Sequence, residues 1–441
     1  MNSSGIARQE MLFAELREQP VTDSALAREL LHFHAFGAKS RFTTTVGGIG
    51  SERRVVDTFI NEFWTSAQRK GHSLHEVSYR ACFKPQLPAF FIARLSQPGD
   101  LVYDPFMGRG TTPLEAALMG RIPVGNDVNP LSAMLLRPRL FPVAQAAVEQ
   151  RLAALSLWWE GDLPADLLVF YHEATLRELC ALRGYLLARE SAGELDAVDD
   201  WIRMVAVNRL TGHSKGFLSV YTLPPNQAVS VRAQQKINKK RQQTPEHRSV
   251  RAILAKKSAA LLKDLTPQQC TLLREVAVHA VLSTAKAAAT PRLADASVQL
   301  VVTSPPFLDV VQYGADNWLR CWFCGIDVDA VPITMARTIL QWRTAMTAVF
   351  AELHRVLKPS GCVAFEVGEV KRGTVRLEES VIPAAVAAGF EPELVLVNAQ
   401  QFTKTANCWG IDNNARGTNS NRIVLLRRAA PFVPERGCKG G

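Results

Sequence analysis

Residues 101–127 constrain the fold more than any other stretch of the chain. Leu101-Val102-Tyr103-Asp104 is a short apolar run ending in an acid, and Pro105-Phe106-Met107-Gly108-Arg109-Gly110-Thr111-Thr112 follows it directly. The segment PLEAALMG then has helical spacing, and Arg121-Ile122-Pro123-Val124-Gly125-Asn126-Asp127 is a second strand-like run, again ending in an acid. Strand, glycine turn, helix and strand make one βαβ unit, which requires a parallel sheet. The glycines let the backbone turn tightly and approach a ligand, and an acid ending the next strand can accept hydrogen bonds from a ribose diol. The pattern predicts an adenosine-binding crevice at the carboxyl ends of the strands. No Gly-Lys-Ser/Thr follows, so this is not a phosphate loop. Asp104 would repel a pyrophosphate and suits a ligand carrying an ammonium and a sulfonium, as S-adenosylmethionine does. A short Gly-x-Gly also serves a plain tight turn, so the motif does not decide alone.

The α/β pattern returns at Ser297-Val298-Gln299-Leu300-Val301-Val302, a strand running into Thr303-Ser304-Pro305-Pro306-Phe307. Two prolines fix the backbone and remove two amide donors. What remains is a rigid row of carbonyl acceptors beside the Ser304 hydroxyl and the Phe307 ring. An exocyclic amine on a planar base needs that set: acceptors for its hydrogens and an aromatic face for its ring. A Pro-Pro pair can also simply end a strand. A helix near 342–357, the strand CVAFEVG, and a final hairpin of PELVLVN with NRIVLLRR complete the pattern.

Together, Asp-Pro-Phe-x-Gly-x-Gly-Thr and Thr-Ser-Pro-Pro-Phe resemble the amino-methylating DNA methyltransferases, which modify cytosine N4 or adenine N6. The resemblance covers roughly 74–135 and 295–428. It includes Lys84-Pro85, Asp127-x-Asn129-Pro130, Leu357-Lys358-Pro359-x-Gly361 and Arg416-Gly417-Thr418-Asn419-x-Asn421-Arg422. It implies a Rossmann-like α/β fold dependent on S-adenosylmethionine. Cofactor contacts would come from Lys84, Pro85, Asp104, Pro105, Phe106, Gly108, Gly110, Thr111, Asp127 and Asn129. Ser304, Pro305, Pro306 and Phe307 would hold the target base. In the family, Ser-Pro-Pro usually accompanies cytosine N4 and Asp/Asn-Pro-Pro adenine N6, so the expected product is N4-methylcytosine, with adenine N6 as the alternative. An RNA amino-methyltransferase and a non-catalytic DNA-binding protein are the remaining readings. The reaction would be direct transfer to a flipped base, with no cysteine nucleophile. Two departures stand out. Val281-Leu282-Ser283-Thr284 lacks the acid that usually contacts the cofactor's adenine, and Arg109 sits where many members have a small residue. Arg109 either reaches out to DNA phosphate or caps the loop.

These motifs divide the chain into an N-terminal helical region (1–73), a cofactor-binding half (74–140), a helical basic insertion (141–280), a catalytic half (281–430) and a mobile tail (431–441). The segment VVDTFINEFWTSAQRK (55–70) reads as a helix by its apolar spacing. The net charge is +10, and residues 232–257 hold nine Lys/Arg against one acid, Glu246. Alone, such a run is as well explained by a solvated helix face. Inside the insertion, where the family places target recognition, it implies contacts to double-stranded DNA from Lys236, Lys239, Lys240, Arg241, Arg248 and Arg251. Gln312, Tyr313, Asn317 and the loop from His213 to Gln227 are candidate pocket or recognition residues, with core or turn roles equally open. Cys321 and Cys324 form the one close cysteine pair of eight cysteines and lack further ligands nearby, so they read as small apolar residues and no metal is expected. No apolar stretch reaches about 18 residues, the length that would cross a membrane. No secretory signal is evident, so a bacterial-type cytoplasm, with a cognate restriction endonuclease as a candidate partner, is the expected setting.

Overall fold

The computed structural model describes residues 22–48, 53–64, 71–80, 82–222, 228–306, 313–332, 336, 338–367, 369–370, 375–399, 407–408, 411–412 and 420–429. Helix α1 (Ala25–Leu31) precedes strands β1 (Arg41–Gly47) and β2 (Arg54–Asn61). The βαβ unit follows as α2 (Gln86–Leu95), β3 (Leu101–Asp104), α3 (Thr111–Leu118) and β4 (Ile122–Asp127). Seven helices come next among the described residues: α4 (Leu131–Leu140), α5 (Gln145–Ala154), α6 (Glu173–Ser191), α7 (Ala197–Arg209), α8 (Val231–Arg241), α9 (Val250–Leu262) and α10 (Pro267–Ala277). The second α/β part contains β5 (Val281–Thr284), β6 (Val298–Thr303), α11 (Tyr313–Phe323), α12 (Ile339–Val356), β7 (Leu357–Val367), α13 (Glu378–Ala387), β8 (Phe390–Ala399) and β9 (Ser420–Arg428).

Both α/β parts build one nine-stranded sheet, in the order β1-β2-β8-β9-β7-β6-β3-β4-β5. Strands β5, β4, β3, β6 and β7 are parallel throughout. The final hairpin places β9 antiparallel between β7 and β8. Alternate residues feed the two faces. Val102, Leu300, Val302 and Ala364 join the layer that contains Phe91 of α2. Tyr103, Val301, Val363 and Phe365 join the layer with Trp342 and Phe350 of α12 and Val381 of α13. The helices of 131–277 gather around a core of their own with Trp201, Phe170 and Leu254, which also takes in Met107 beside the glycine turn. No helix among the described residues is long and apolar enough to cross a membrane.

The N-terminal region departs from its helical expectation. Residues 54–61 form strand β2, paired antiparallel with β1 and parallel with β8. Six consecutive residues, Val56 to Asn61, are buried. A strand covered on both faces loses its period-2 alternation, and its apolar run then imitates a helix stripe. The predicted tail, 431–441, lies outside the described residues.

Candidate active site

Chain order around β3 explains why the two motifs meet. After β3 the chain proceeds outward to β4 and β5, whereas β6 and β7 lie on the other side of β3. The turns leaving β3 and β6 therefore diverge and open a crevice at their carboxyl ends. Asp104 ends β3, and Ser304 immediately follows β6. Thr303 Oγ1 donates to Asp104 Oδ1 at 2.6 Å, and Thr112 Oγ1 donates to the Val302 carbonyl at 2.9 Å. These side chains lock the two motifs together. A cavity of about 250 Å³ is lined by Asp104, Pro105, Phe106, Gly108, Thr111, Asp127 and Asn129 on one side and by Ser304, Pro305 and Pro306 on the other.

The acids are buried and strongly organised. Asp104 also accepts the Phe106 N–H at 3.0 Å. Burial pushes its carboxyl up to about 7, aided by the nearby Asp127 charge and opposed by its hydrogen bonds. Burial raises Asp127 as well, while backbone donors pull it back. Asp127 Oδ2 accepts from Gly108 N at 2.9 Å, and Oδ1 from Asn129 N at 3.0 Å. One carboxylate thus holds the glycine turn against the end of β4. With about four lone-pair sites, it retains acceptor capacity for a diol. Gly108 has φ +50°, and a Cβ there would lie 3.4 Å from the Tyr79 ring.

Arg109 caps the loop and does not reach outward. It donates to the carbonyls of His75, Val77 at 2.8 Å, and Phe83, and to Thr111 Oγ1. Arg139, fully buried beneath it, donates to the Arg109 carbonyl. These bonds pin a strap whose Tyr79, Arg80, Cys82 and Phe83 form the opposite wall of the cavity. Sequence reading missed this wall. Its only signal was an arginine inside a glycine turn, a fork able to bind several carbonyls at once. The strap is tied from its other side too. Arg80 donates to both oxygens of Asp316 on α11 at 2.7 Å, and Arg320 reaches the Ser78 carbonyl at 3.2 Å.

On the target side, Glu366 of β7 lies beside Ser304, whose hydroxyl favours its ionised form, and Asn421 Nδ2 donates to Glu366 Oε1 at 2.7 Å. Burial raises the Glu366 carboxyl above its usual range. Glu366 was also missed: inside CVAFEVG it looks like one polar residue of a strand. Asn421 belongs to the late hairpin motif, which delivers it here through the β9–β7 pairing.

Several expected site residues have other roles. Lys84 is exposed, and Pro85 is buried as the cap of α2, where a Cβ on Gly71 would meet its ring. Neither lines the cavity, because the helix start turns them away from it. Gly110 is the N-cap of α3 at φ +77°, pressed against Leu136. Its need is conformational rather than ligand contact. Asn317 is buried and accepts from Arg320 at 2.7 Å, so it braces the strap. Cys321, on α11, and Cys324, in the turn just after it, are both buried. Phe307, Gln312 and the end of the 213–227 loop lie outside the described residues, as does the Tyr313 side chain. Beyond β5, Lys286, Ala287 and Ala288 line the cavity.

The basic run divides in two. Arg232, Lys236, Lys239 and Lys240 are exposed on α8, at spacings that form one helix face. Arg241 lies over the Tyr221 ring at 3.8 Å. Arg248 instead donates to the carbonyls of Ser214, Phe217 and Ser219, and Arg251 to those of Leu152 and Leu155. Both hold backbone in place with these bonds, Arg248 half-buried and Arg251 exposed.

Comparison with known proteins agrees with this geometry. A family model of the N6/N4 type, described as DNA methylase, matches residues 40–132. The chain is 24% identical over 311 residues to the Type II methyltransferase M.BsoBI of Geobacillus stearothermophilus, covering 62% of this chain and 57% of that one. It is 29% identical over 116 residues to the Type II methyltransferase M.MvaI of Kocuria varians, covering 26% and 24%. Residues 40–132 match the amino-methylating DNA methylase family. A third relative, the Type II methyltransferase M.MjaII of Methanocaldococcus jannaschii, is 36% identical over 69 residues, covering 16% of this chain and 13% of the relative. The chain thus spans less than two thirds of each of these relatives. The family match ends just after Asn129, so the similarity falls on the half that holds the acids and the glycine turn.

Proposed function

We propose that this chain methylates the exocyclic N4 amine of cytosine at specific sites in duplex DNA. The observation that carries the reading is one cavity bounded by both the acid-and-glycine set and Ser304-Pro305-Pro306. S-adenosylmethionine fits the first set and would supply an electrophilic methyl group. Asp104 would face its ammonium, Asp127 its ribose, and Phe106, Val128 and Ala287 its planar ring.

The chain's own residues would handle the amine. Ser304 would donate its hydroxyl hydrogen to the neighbouring Glu366, which leaves its oxygen lone pairs to accept an N–H from the base. As the new C–N bond forms, the amine must lose one proton. Ser304 can take it while passing its own to Glu366, whose raised pKa suits an acceptor. No covalent enzyme intermediate is required, and the rate would come from alignment and fixed acceptors. Ser304 supplies a hydroxyl where the resemblance places Asp or Asn in adenine-N6 enzymes, which favours cytosine.

A buried target atom requires the base to leave the duplex. The exposed stripe on α8 would hold the phosphates. Gln234 of α8 donates to the Tyr221 carbonyl at 3.0 Å, and Ala228 N donates to the Asp316 carbonyl on α11 at 2.8 Å. The stripe is therefore tied to the helix that follows the catalytic turn. The relatives' names, Type II methyltransferases, support a restriction-modification setting, and the reading adds a cognate endonuclease as partner and the cytoplasm as location.

Purified protein with labelled cofactor and duplex DNA tests the reading. Nucleoside digestion should give N4-methylcytosine. N6-methyladenine would overturn the base assignment, and label on RNA alone would overturn the substrate. Asp127→Ala should weaken binding of S-adenosylhomocysteine by about 1.5–3 kcal/mol, as expected for hydrogen bonds to a charged group. Calorimetry on the folded variant measures it, and unchanged affinity would remove Asp127 from the site. Reversing Lys236, Lys239 and Lys240 to Glu should lower the log–log salt slope of DNA binding by about 0.9 for each lost phosphate contact. Cofactor affinity should persist. Equal DNA binding at low salt would reduce the stripe to a solvated face.

A further inference from the structure

Trp342 has a role that neither motif accounts for. It lies in the first turn of α12, where Thr338 caps the helix by accepting the Gln341 N–H at 3.2 Å. Its side chain is only 2% exposed and lines the cavity with Ala345, Met346 and Val349, three, four and seven residues further along the helix. The indole Nε1 donates to the Pro306 carbonyl at 3.0 Å. A large apolar ring would fill this wall equally well without a donor, so the N–H is the informative part.

The Pro-Pro turn presents carbonyls with no amide donors of its own at residues 305 and 306. By engaging the Pro306 carbonyl, Trp342 occupies one member of that row. Ser304 Oγ and the Pro305 carbonyl are then the pair offered to an incoming amine. The same bond fixes the direction of the peptide leaving Pro306, and with it the orientation of the rigid turn. We propose that Trp342 is a positioning residue for methyl transfer, holding the Ser304-Pro305 acceptors in register with the amine through its bond to Pro306. This rests on the amino-methylation reading above and adds the residue that sets its geometry.

The test is Trp342→Phe, which keeps an aromatic wall and deletes the N–H. Single-turnover methylation of duplex DNA should slow by about ten- to a hundredfold, as when reacting groups are misplaced by up to about 1 Å. The Kd for S-adenosylhomocysteine should stay within about twofold, since no cofactor-side acid is touched. In wild-type protein with ¹⁵N-labelled indoles, the resonance that disappears in the variant should be protected from exchange with D₂O. A variant with wild-type turnover, or one whose whole loss lies in cofactor affinity, overturns the proposal. If Trp342→Phe fails to fold, the resonance is assigned through a Trp342→Tyr variant, and rapid exchange of that N–H in wild type rejects the bond. An active wild type with an unaffected variant sinks this inference alone. A wild type that transfers no methyl group sinks the functional reading and this inference with it.

Discussion

Ser304→Ala should lower the rate of methyl transfer by about a hundredfold, the scale seen when a preorganised hydrogen-bonding group is removed from a reacting centre. Cofactor affinity should be unchanged, because Ser304 lies across the cavity from Asp127. The loss should therefore fall on kcat rather than on binding, which marks an interaction used while the amine is attacked. Glu366→Gln separates the two functions of the Ser304–Glu366 pair. The amide can still accept the serine hydroxyl but cannot take up a proton. Burial raises Glu366 above the usual carboxylate range, and only its ionised form accepts a proton. The wild-type rate should therefore fall as pH drops through that raised pKa, and the Gln variant should be slow with this limb absent. Single-turnover rates across pH check both. Equal pH profiles in wild type and Glu366→Gln would remove Glu366 from proton transfer, and full activity in Ser304→Ala would remove the serine.

The legible parts of this chain were those where one residue type admits few conformations. Gly108 and Gly110 announced the turn after β3, both at positive φ. Pro305 and Pro306 announced the rigid end of β6. Topology then explains their meeting, since residues nearly 200 apart both stop at the switch point beside β3. The less legible parts depended on partners distant in sequence. Strand β2 pairs with β8, and without that partner its buried run has no visible period. Glu366 gains meaning only from Ser304 and Asn421, which reach it from neighbouring strands. Arginines were ambiguous because a guanidinium can bind carbonyls as readily as phosphates. Arg109, Arg248 and Arg251 took the carbonyls, whereas Lys236, Lys239 and Lys240, on an exposed helix face, did not.

Asp104→Asn should weaken S-adenosylhomocysteine binding by about 1.5–3 kcal/mol and make the ligand-free protein more stable at neutral pH. The two effects have one origin. Asp104 is 2% exposed and hydrogen-bonded to Thr303 and Phe106, but no cation among the described residues pairs with it. Burial holds its carboxyl at about 7 against an ordinary 3.8. A carboxyl raised on folding binds more protons in the folded state, so the ligand-free chain should lose stability as pH climbs from about 4 to about 7 and then level off. A ligand ammonium reverses the preference, since only ionised Asp104 pairs with it. Affinity should then rise with pH through the same window, about tenfold weaker at about pH 6 than at about pH 8, because apparent affinity scales with the competent fraction. Binding at the lower pH should release a proton, visible as a dependence of the calorimetric heat on buffer ionisation. The Asn variant keeps an oxygen for Thr303 and Phe106 but has nothing to ionise, so its affinity should be low and much flatter with pH, and its melting temperature should no longer fall over that range on this group's account. Asp127 is raised as well, and any slope left in the variant belongs to it. A wild-type affinity independent of pH, or an Asn variant that binds normally, would show that Asp104 shapes the turn without meeting the ligand's charge.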